Sequence, residues 1–308
     1  MENPRLPRFK RAPPASPIRC VERDREIIRL VHKHRLLRSA HILSLLGGSS
    51  QSVLRRLQLL YHHGYFERPR SQLDYYHSGG GSRHIIYGLG SKGAAVLREE
   101  NAGSLPSPRS GEQNRGVGRI FLEHAVMVSD IMVGLELACW KKGSVRLLQG
   151  DELPRPTGSA KKKQFRWGAN ISSHIRLGVV PDRVLALYSE DQEAERTPAF
   201  FFLEADRGTM PVKRKNLAQT SFLRKLLAYE ATWQQGIHRK EFGFHRFRVL
   251  TVTRSAERAQ SLVEACSQLK SGHGLFLFTD IASFQQSPDV LSHAWQTGRS
   301  GVTARLLD

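Results

Sequence analysis

Apolar residues recur at helical spacing in the first third of the chain. The pattern predicts a helix from residue 21 onward, a second over 39–46 and a third over 51–63. Strand-like runs at 65–70 and 83–89 follow, and then a helix over 92–100. The apolar residues expected to face inward on the third helix are Val53, Leu54, Leu57 and Leu60.

The remainder of the chain mixes helices with strand-length apolar runs. A long amphipathic helix is predicted over 120–140, and two further helices over 212–233 and 256–269. Predicted strands cover 144–149, 247–253 and 275–279, together with two runs on either side of a polar turn at 189–198. This order indicates a mixed sheet with helices packed on it. The residues from 285 onward have no assignable pattern.

The two runs around the polar turn predict a β-hairpin that brings carboxylates together. In an antiparallel pair of strands, the numbers of facing residues add to a constant. A turn spanning 189–198 sets that constant near 387, so Asp182 is expected to face the segment 204–206. Glu204 and Asp206 share one face because side chains alternate along a strand. Three converging carboxylates are typical of a site for a hard divalent cation. The alternatives are that Asp182 caps an element, and that the other two acids form ion pairs with neighbouring cationic residues.

Composition adds a strong charge to this picture. The 308 residues carry a net charge of +19 and give a pI near 10.4, which favours a polyanionic partner, DNA first. A membrane surface is the second choice, but no apolar run is long enough to span a bilayer. The start of the chain has no apolar signal-peptide core, so a cytoplasmic protein is expected.

The order of elements in the first hundred residues predicts a winged helix-turn-helix. The pair Gly47–Gly48 supplies the tight turn, and the third helix is then the recognition helix in the major groove. The predicted DNA-binding residues of this domain are Ser50, Gln51, Arg55, Arg56, Arg68, Arg70 and Arg83. A further group of predicted DNA-binding residues is the run Lys161, Lys162 and Lys163, which could clamp phosphates. A solvated helix face and a solvated loop are the alternatives, and winged helices also contact proteins.

The motif Pro181–Asp182, followed by a strand that ends Glu204–Ala205–Asp206, resembles the PD-(D/E)XK nuclease core. This resemblance implies that Asp182 and Glu204 hold Mg²⁺ as the metal ligands. It also implies a lysine two residues after the second acid, where this chain has Asp206. The substitute cation is then Lys225 on the next helix, or Lys213 or Lys215 at its entry. The predicted catalytic set is therefore Asp182, Glu204, Asp206 and Lys225, and without a working lysine the scaffold binds DNA without cutting it.

With Leu203–Glu204–Ala205–Asp206–Arg207–Gly208–Thr209 and the pair Lys225 and Tyr229, the chain looks more narrowly like the replication-relaxation family of bacterial plasmids and mobile elements. That resemblance implies a DNA-binding protein acting in replication, mobilisation or its control, with double-stranded DNA and replication or mobilisation proteins as partners. The alternatives are an active Mg²⁺-dependent endonuclease, and a transcriptional repressor whose second domain binds protein.

The expected fold class is α+β with two domains. The boundaries are a disordered basic arm at 1–20, a winged helix-turn-helix at 21–102, a linker at 103–118, a nuclease-like α/β domain at 119–284 and a C-terminal tail at 285–308.

Overall fold

The computed structural model describes residues 7–12, 17–73, 84–100, 110–154, 165–190, 197–216 and 218–308. The chain divides into two compact units, Met1–Val133 and Gly134–Asp308, called unit 1 and unit 2 below. The predicted mixture of helices with a mixed sheet is confirmed. Arg83 and Lys161, Lys162 and Lys163, four of the predicted DNA-binding residues, lie outside the described residues.

Unit 1 alternates short helices with short strands. In chain order these are α1 Glu22–His34, β1 Leu36–Arg38, α2 Ser39–Leu46, α3 Ser50–His62, β2 Phe66–Glu67, β3 Ile86–Leu89, α4 Ser91–Glu99 and α5 Ser110–Arg115. The strands form an antiparallel sheet of order β1-β3-β2. The long helix α6, Arg119–Lys142, begins in unit 1 and ends in unit 2, close to its predicted bounds.

Helix α3 buries a narrower stripe than the sequence predicts. Val53, Leu57 and Leu60 are at most 2% exposed, as expected. They stand at positions i, i+4 and i+7, which form a single line along a helix. Leu54 is 42% exposed, so the prediction that it faces inward is wrong. The stripe of three residues is enough to seat the helix, and Leu54 lies on its outer side.

Within unit 1, residues of the predicted disordered arm contact the folded elements that follow it. Arg11, within residues 7–12, donates from Nη2 to Oε1 of Glu67 at 2.6 Å. Glu67 is buried, and the same oxygen accepts a hydrogen bond from Arg115 at 2.8 Å. Arg115 belongs to α5, inside the predicted linker 103–118. One buried carboxylate thus fixes both segments, because an unpaired charge there would be costly.

Unit 2 is built on a seven-stranded sheet. Its elements are β4 Val145–Gln149, β5 Trp167–Asn170, β6 Arg176–Val179, β7 Arg183–Ser189, β8 Ala199–Asp206, α7 Phe222–Gln234, α8 Ile237–Phe242, β9 Phe247–Thr253, α9 Ala256–Ala265, β10 Phe276–Asp280, α10 Ile281–Gln286, β11 Trp295–Thr297 and β12 Thr303–Ala304. The order across the large sheet is β12-β11-β10-β9-β8-β7-β4, and β5 pairs with β6 separately. Strands β8, β9 and β10 are parallel, and the other pairs are antiparallel. The last residues, unassigned from sequence, therefore extend this sheet.

Strand β8 is the centre of the sheet, which explains its run of apolar residues. It lies between β7 and β9, and every residue after Ala199 is buried. Phe200 and Phe202 belong to the core cluster that includes Tyr229 of α7. The rings of Phe202 and Tyr229 stack with centroids 5.7 Å apart. Because side chains alternate along a strand, Glu204 continues the same face as these phenylalanines, under α7.

Of two sequence predictions around this strand, the first is confirmed and the second needs correction. Arg183 and Leu203 lie opposite each other, so facing numbers add to 386, next to the predicted constant near 387. This register sets Asp182 level with Glu204, within the predicted segment 204–206, and puts both side chains on one face. Helix α7 begins at Phe222, whereas the pattern predicts a helix from residue 212. The amides of Phe222 and Leu223 bond to carbonyls at 211 and 212, so the preceding segment folds back on the helix instead of extending it.

Candidate functional site

The candidate site of unit 2 is centred on Glu204, a carboxylate only 2% exposed. Helix α7 crosses the face of β8 that Glu204 occupies, and two of its residues one turn apart reach the carboxylate. Lys225 donates from Nζ to Oε2 at 2.5 Å, and Tyr229 donates its hydroxyl proton to Oε1 at 2.6 Å. Both oxygens of Glu204 are therefore engaged by strong donors, one of them charged.

Burial and charge act in opposite directions on these three groups. Burial raises the pKa of Glu204, while the neighbouring Lys225 ammonium opposes that rise. Burial alone lowers the pKa of Lys225, but the carboxylates of Glu204, Asp182 and Asp206 outweigh it, so the net direction is upward. Burial, and then Glu204, hold the pKa of Tyr229 well above its ordinary value. At neutral pH Lys225 is therefore an ammonium and Tyr229 a proton donor.

The other two predicted carboxylates have partners of their own. Asp182 accepts a hydrogen bond from the amide of Ala205 at 2.8 Å. Asp206 accepts one from Nε of Arg258 at 2.6 Å, and Arg258 also donates to the carbonyl of Met210 at 2.7 Å. Of the three acids, Glu204 contacts the Lys225 amine directly, while Asp182 and Asp206 act on the pKa of Lys225 through their charges. Within the part of the chain that the structure describes, no group of three or more Asp, Glu, His or Cys residues is placed to hold a metal ion.

Arg258 is the member of this site that the sequence does not reveal. It lies in α9, 52 residues after Asp206, and no local motif links the two positions. In the alternative interpretation, Asp206 was expected to pair with a cationic residue near it in the sequence. The parallel pairing of β8 with β9 brings the start of α9 to the carboxyl end of β8, and only that topology makes the contact.

Replacing Tyr229 with phenylalanine is expected to lower the free energy of unfolding by about 2 kcal/mol, since hydrogen bonds to charged groups contribute ~1.5–3 kcal/mol. Urea unfolding followed by tryptophan fluorescence measures this, because all four tryptophans lie in unit 2. Tyr188→Phe, a half-buried tyrosine on β7, is the matched control. Equal stability of the two variants would contradict the hydrogen bond to Glu204.

The second candidate site is the outer face of α3 in unit 1. The turn before it uses Gly47 and Gly48 at φ of 64° and 79°, a backbone region that favours glycine. The hydroxyl of Ser49 caps the helix by accepting from the amide of Ser52 at 3.4 Å. Four of the predicted DNA-binding residues of unit 1 are exposed: Ser50, Gln51 and Arg55 on α3, and Arg70 just beyond β2.

Two predicted DNA-binding arginines instead have structural roles. Arg56 donates from Nε and Nη2 to the carboxylate of Asp24 at 2.6 and 2.5 Å, and Asp24 is fully buried. Arg68 is only 4% exposed; it bonds to the hydroxyl of Tyr87 at 3.0 Å and lies 4.0 Å over the ring of Tyr61. Its assignment as a phosphate contact of the wing is therefore wrong. Arginine is used both in structural ion pairs and in phosphate contacts, and only burial distinguishes the two roles.

Together these features define a basic protein of two α/β units, one with an exposed basic helix and one with a buried carboxylate held by lysine and tyrosine. A family model described as replication-relaxation matches residues 28–246, so the chain belongs to the replication-relaxation family. No curated protein and no solved structure matches the chain. In the described residues, every helix is too short or too polar to cross a membrane.

Proposed function

We propose that the chain is a DNA-binding protein of a plasmid or other mobile element, acting in replication, mobilisation or its control. In this proposal unit 1 is a winged helix-turn-helix that binds double-stranded DNA. Unit 2 is a nuclease-like scaffold that holds DNA without cutting it. Membership of the replication-relaxation family points to the replication and mobile-element context.

The observation that carries the DNA-binding proposal is the exposed face of α3. The helices α2 and α3 meet at the glycine turn, and α3 is followed by the two strands β2 and β3. This is the order of a winged helix, in which the third helix enters the major groove. Gln51 and Arg55 are exposed and one turn apart, so both can reach base edges from the same face. Residues 1–100 hold 18 Lys and Arg against 8 Asp and Glu. This excess of positive charge favours the binding of a polyanion such as DNA.

The hydrogen bonds that Glu204 accepts support a scaffold that does not cut DNA. Mg²⁺ takes oxygen ligands in near-octahedral geometry, and a ligand pair of Asp182 and Glu204 would have to offer it unshared oxygens. Lys225 and Tyr229 already occupy both oxygens of Glu204, and Arg258 neutralises Asp206. The residues as arranged do not fit the metal, because an ammonium would first have to leave a buried carboxylate. Lys225 therefore takes the position expected for the cation itself.

The DNA-binding proposal is tested with the variant Gln51→Ala, Arg55→Ala. Its affinity for duplex DNA is expected to fall about 10-fold or more, the loss associated with ~1–3 kcal/mol per base contact. Fluorescence anisotropy with labelled duplexes measures the dissociation constant at several salt concentrations. Lys92→Ala, an exposed cation of α4 in the same unit, is the control and should bind almost as wild type. Unchanged affinity in the α3 variant would refute the assignment of α3 as the reader.

A further inference from the structure

The connection from β8 to α7 is long and has no helix or strand among its described residues. It spans residues 207–221, here called the basic segment, and begins directly after Asp206. Connections of ~15 residues without secondary structure are uncommon in compact domains and usually have a function. The basic segment follows the carboxyl end of β8, the edge of a parallel sheet at which ligands ordinarily bind.

The charge of this region has one sign. From Arg207 to Tyr229 the sequence contains six Lys and Arg residues and no Asp or Glu. Lys213 and Lys215 are exposed. The nearby acids do not offset this charge at the surface, since Glu204 and Asp206 are buried and paired with Lys225 and Arg258. A polyanion approaching this edge thus meets unbalanced positive charge.

Arginine side chains hold the backbone of the basic segment by hydrogen bonds to its carbonyl groups. Arg258 donates to the carbonyl of Met210 at 2.7 Å, Arg214 to that of Thr220 at 3.2 Å and Arg224 to that of Ala218 at 2.8 Å. These bonds satisfy backbone acceptors that a loop would otherwise leave to water. The arginines are therefore used in structure, while Lys213 and Lys215 remain at the surface on a fixed backbone.

We propose that the basic segment is a second phosphate-binding surface, with Lys213 and Lys215 holding the DNA backbone against unit 2. Lysine ammonium groups act as point charges on phosphates, so this surface adds affinity without reading sequence. The ion pairs of Glu204 and Asp206 make the surface suitable, because the acids would otherwise repel phosphates. This inference rests on the proposed role in DNA binding and adds a surface that α3 does not supply.

The test measures duplex DNA binding by anisotropy for full-length Lys213→Glu, Lys215→Glu. Affinity at about 0.15 M salt is expected to fall roughly tenfold, and the slope of log affinity against log salt to decrease by about 2, near 0.9 for each phosphate that is no longer bound. The control is Lys240→Glu, Lys270→Glu, which changes the net charge equally. These lysines are exposed: Lys240 lies in α8, which precedes β9, and Lys270 lies between α9 and β10. Lys213→Gln, Lys215→Gln should show a smaller loss of the same kind, with an unchanged circular dichroism spectrum.

The outcomes separate this inference from the proposed function. Equal losses in the basic-segment variant and its control would overturn the inference, since net charge alone would then explain them. A loss of DNA affinity confined to the basic-segment variant supports the inference. The inference then holds even if the α3 variant binds DNA normally. Wild-type protein that binds no duplex DNA would overturn both the inference and the proposed function.

Discussion

Lys225→Met is expected to lower the free energy of unfolding by about 3 kcal/mol at pH 8, at the low end of the ~3–5 kcal/mol for breaking a buried ion pair. The low end applies because the lysine side chain is 36% exposed, whereas that of Glu204 is 2% exposed. Among the residues that the structure describes, the variant leaves the buried carboxylate with the Tyr229 hydroxyl as its hydrogen-bond donor. Urea unfolding followed by tryptophan fluorescence measures the effect. Lys240→Met, an exposed lysine of α8, is the control and should change stability by less than about 0.5 kcal/mol.

The loss should depend on pH in a defined direction. Burial raises the pKa of Glu204, and removing Lys225 removes the cation that opposes this rise. An acid whose folded-state pKa is raised binds more protons when folded than when unfolded. Its stabilising contribution is therefore full below the unfolded pKa, about 4.3, and is lost as pH rises through the folded value. Lys225→Met should accordingly be more damaging at pH 8 than at pH 5.

A double variant separates the ion pair from simple packing. Glu204→Gln with Lys225→Met removes both charges, and replacing both partners of a buried pair is far less costly than removing one. At pH 8 the double variant should be more stable than Lys225→Met alone, and its stability should vary less between pH 5 and pH 8. A single variant as stable as wild type at both pH values would contradict the buried pair.

Arg56→Met is expected to destabilise the protein by about 3 kcal/mol or more, because it leaves the carboxylate of Asp24 buried without its cation. Asp24 is fully buried and accepts two bonds from Arg56, with the amide of Val21 at 2.8 Å as a further donor. Denaturant unfolding followed by far-ultraviolet circular dichroism measures the loss. Unit 1 contains no tryptophan in its sequence, so fluorescence is not the suitable probe there.

The neighbouring arginine gives the matched comparison. Arg55→Met removes an exposed cation from the same turn of α3, so stability should change by less than about 0.5 kcal/mol. DNA affinity should fall in Arg55→Met even though folding does not change. If Arg56→Met were instead as stable as Arg55→Met, the structural role assigned to Arg56 would be wrong.

Regular patterns in the sequence predict much of the fold. The helix α3, the long helix α6 and the strands β7 and β8 all follow from apolar spacing, and the structure confirms them, apart from Leu54, which is exposed on α3. The register of β7 and β8 is predicted to within one residue, because the length of the turn sets the pairing constant only to that precision. The start of α7 was missed because folding back of the basic segment depends on arginine-to-carbonyl bonds, which no periodicity records.

The site was predictable only in part. Asp182, Glu204 and Lys225 could be singled out because they lie at the hairpin and on the helix after it. The strand register sets Asp182 level with Glu204, and Lys225 contacts Glu204. Arg258 could not be, since its contact with Asp206 depends on the parallel pairing of distant strands. The roles of Arg56 and Arg68 were also hidden. An arginine on a helix or strand has the same sequence signal whether it meets DNA or a buried acid.

The most direct test is one assay that follows binding and cutting of the same labelled duplex, with Mg²⁺ or Mn²⁺ present. Wild-type protein is expected to retain the DNA in a complex and to leave it intact, on single-stranded and branched substrates as well. Lys225→Met and Glu204→Gln should leave it equally intact. Metal-dependent cleavage by wild type that Asp182→Ala and Glu204→Gln abolish would contradict the claim that Lys225 occupies the position of the metal.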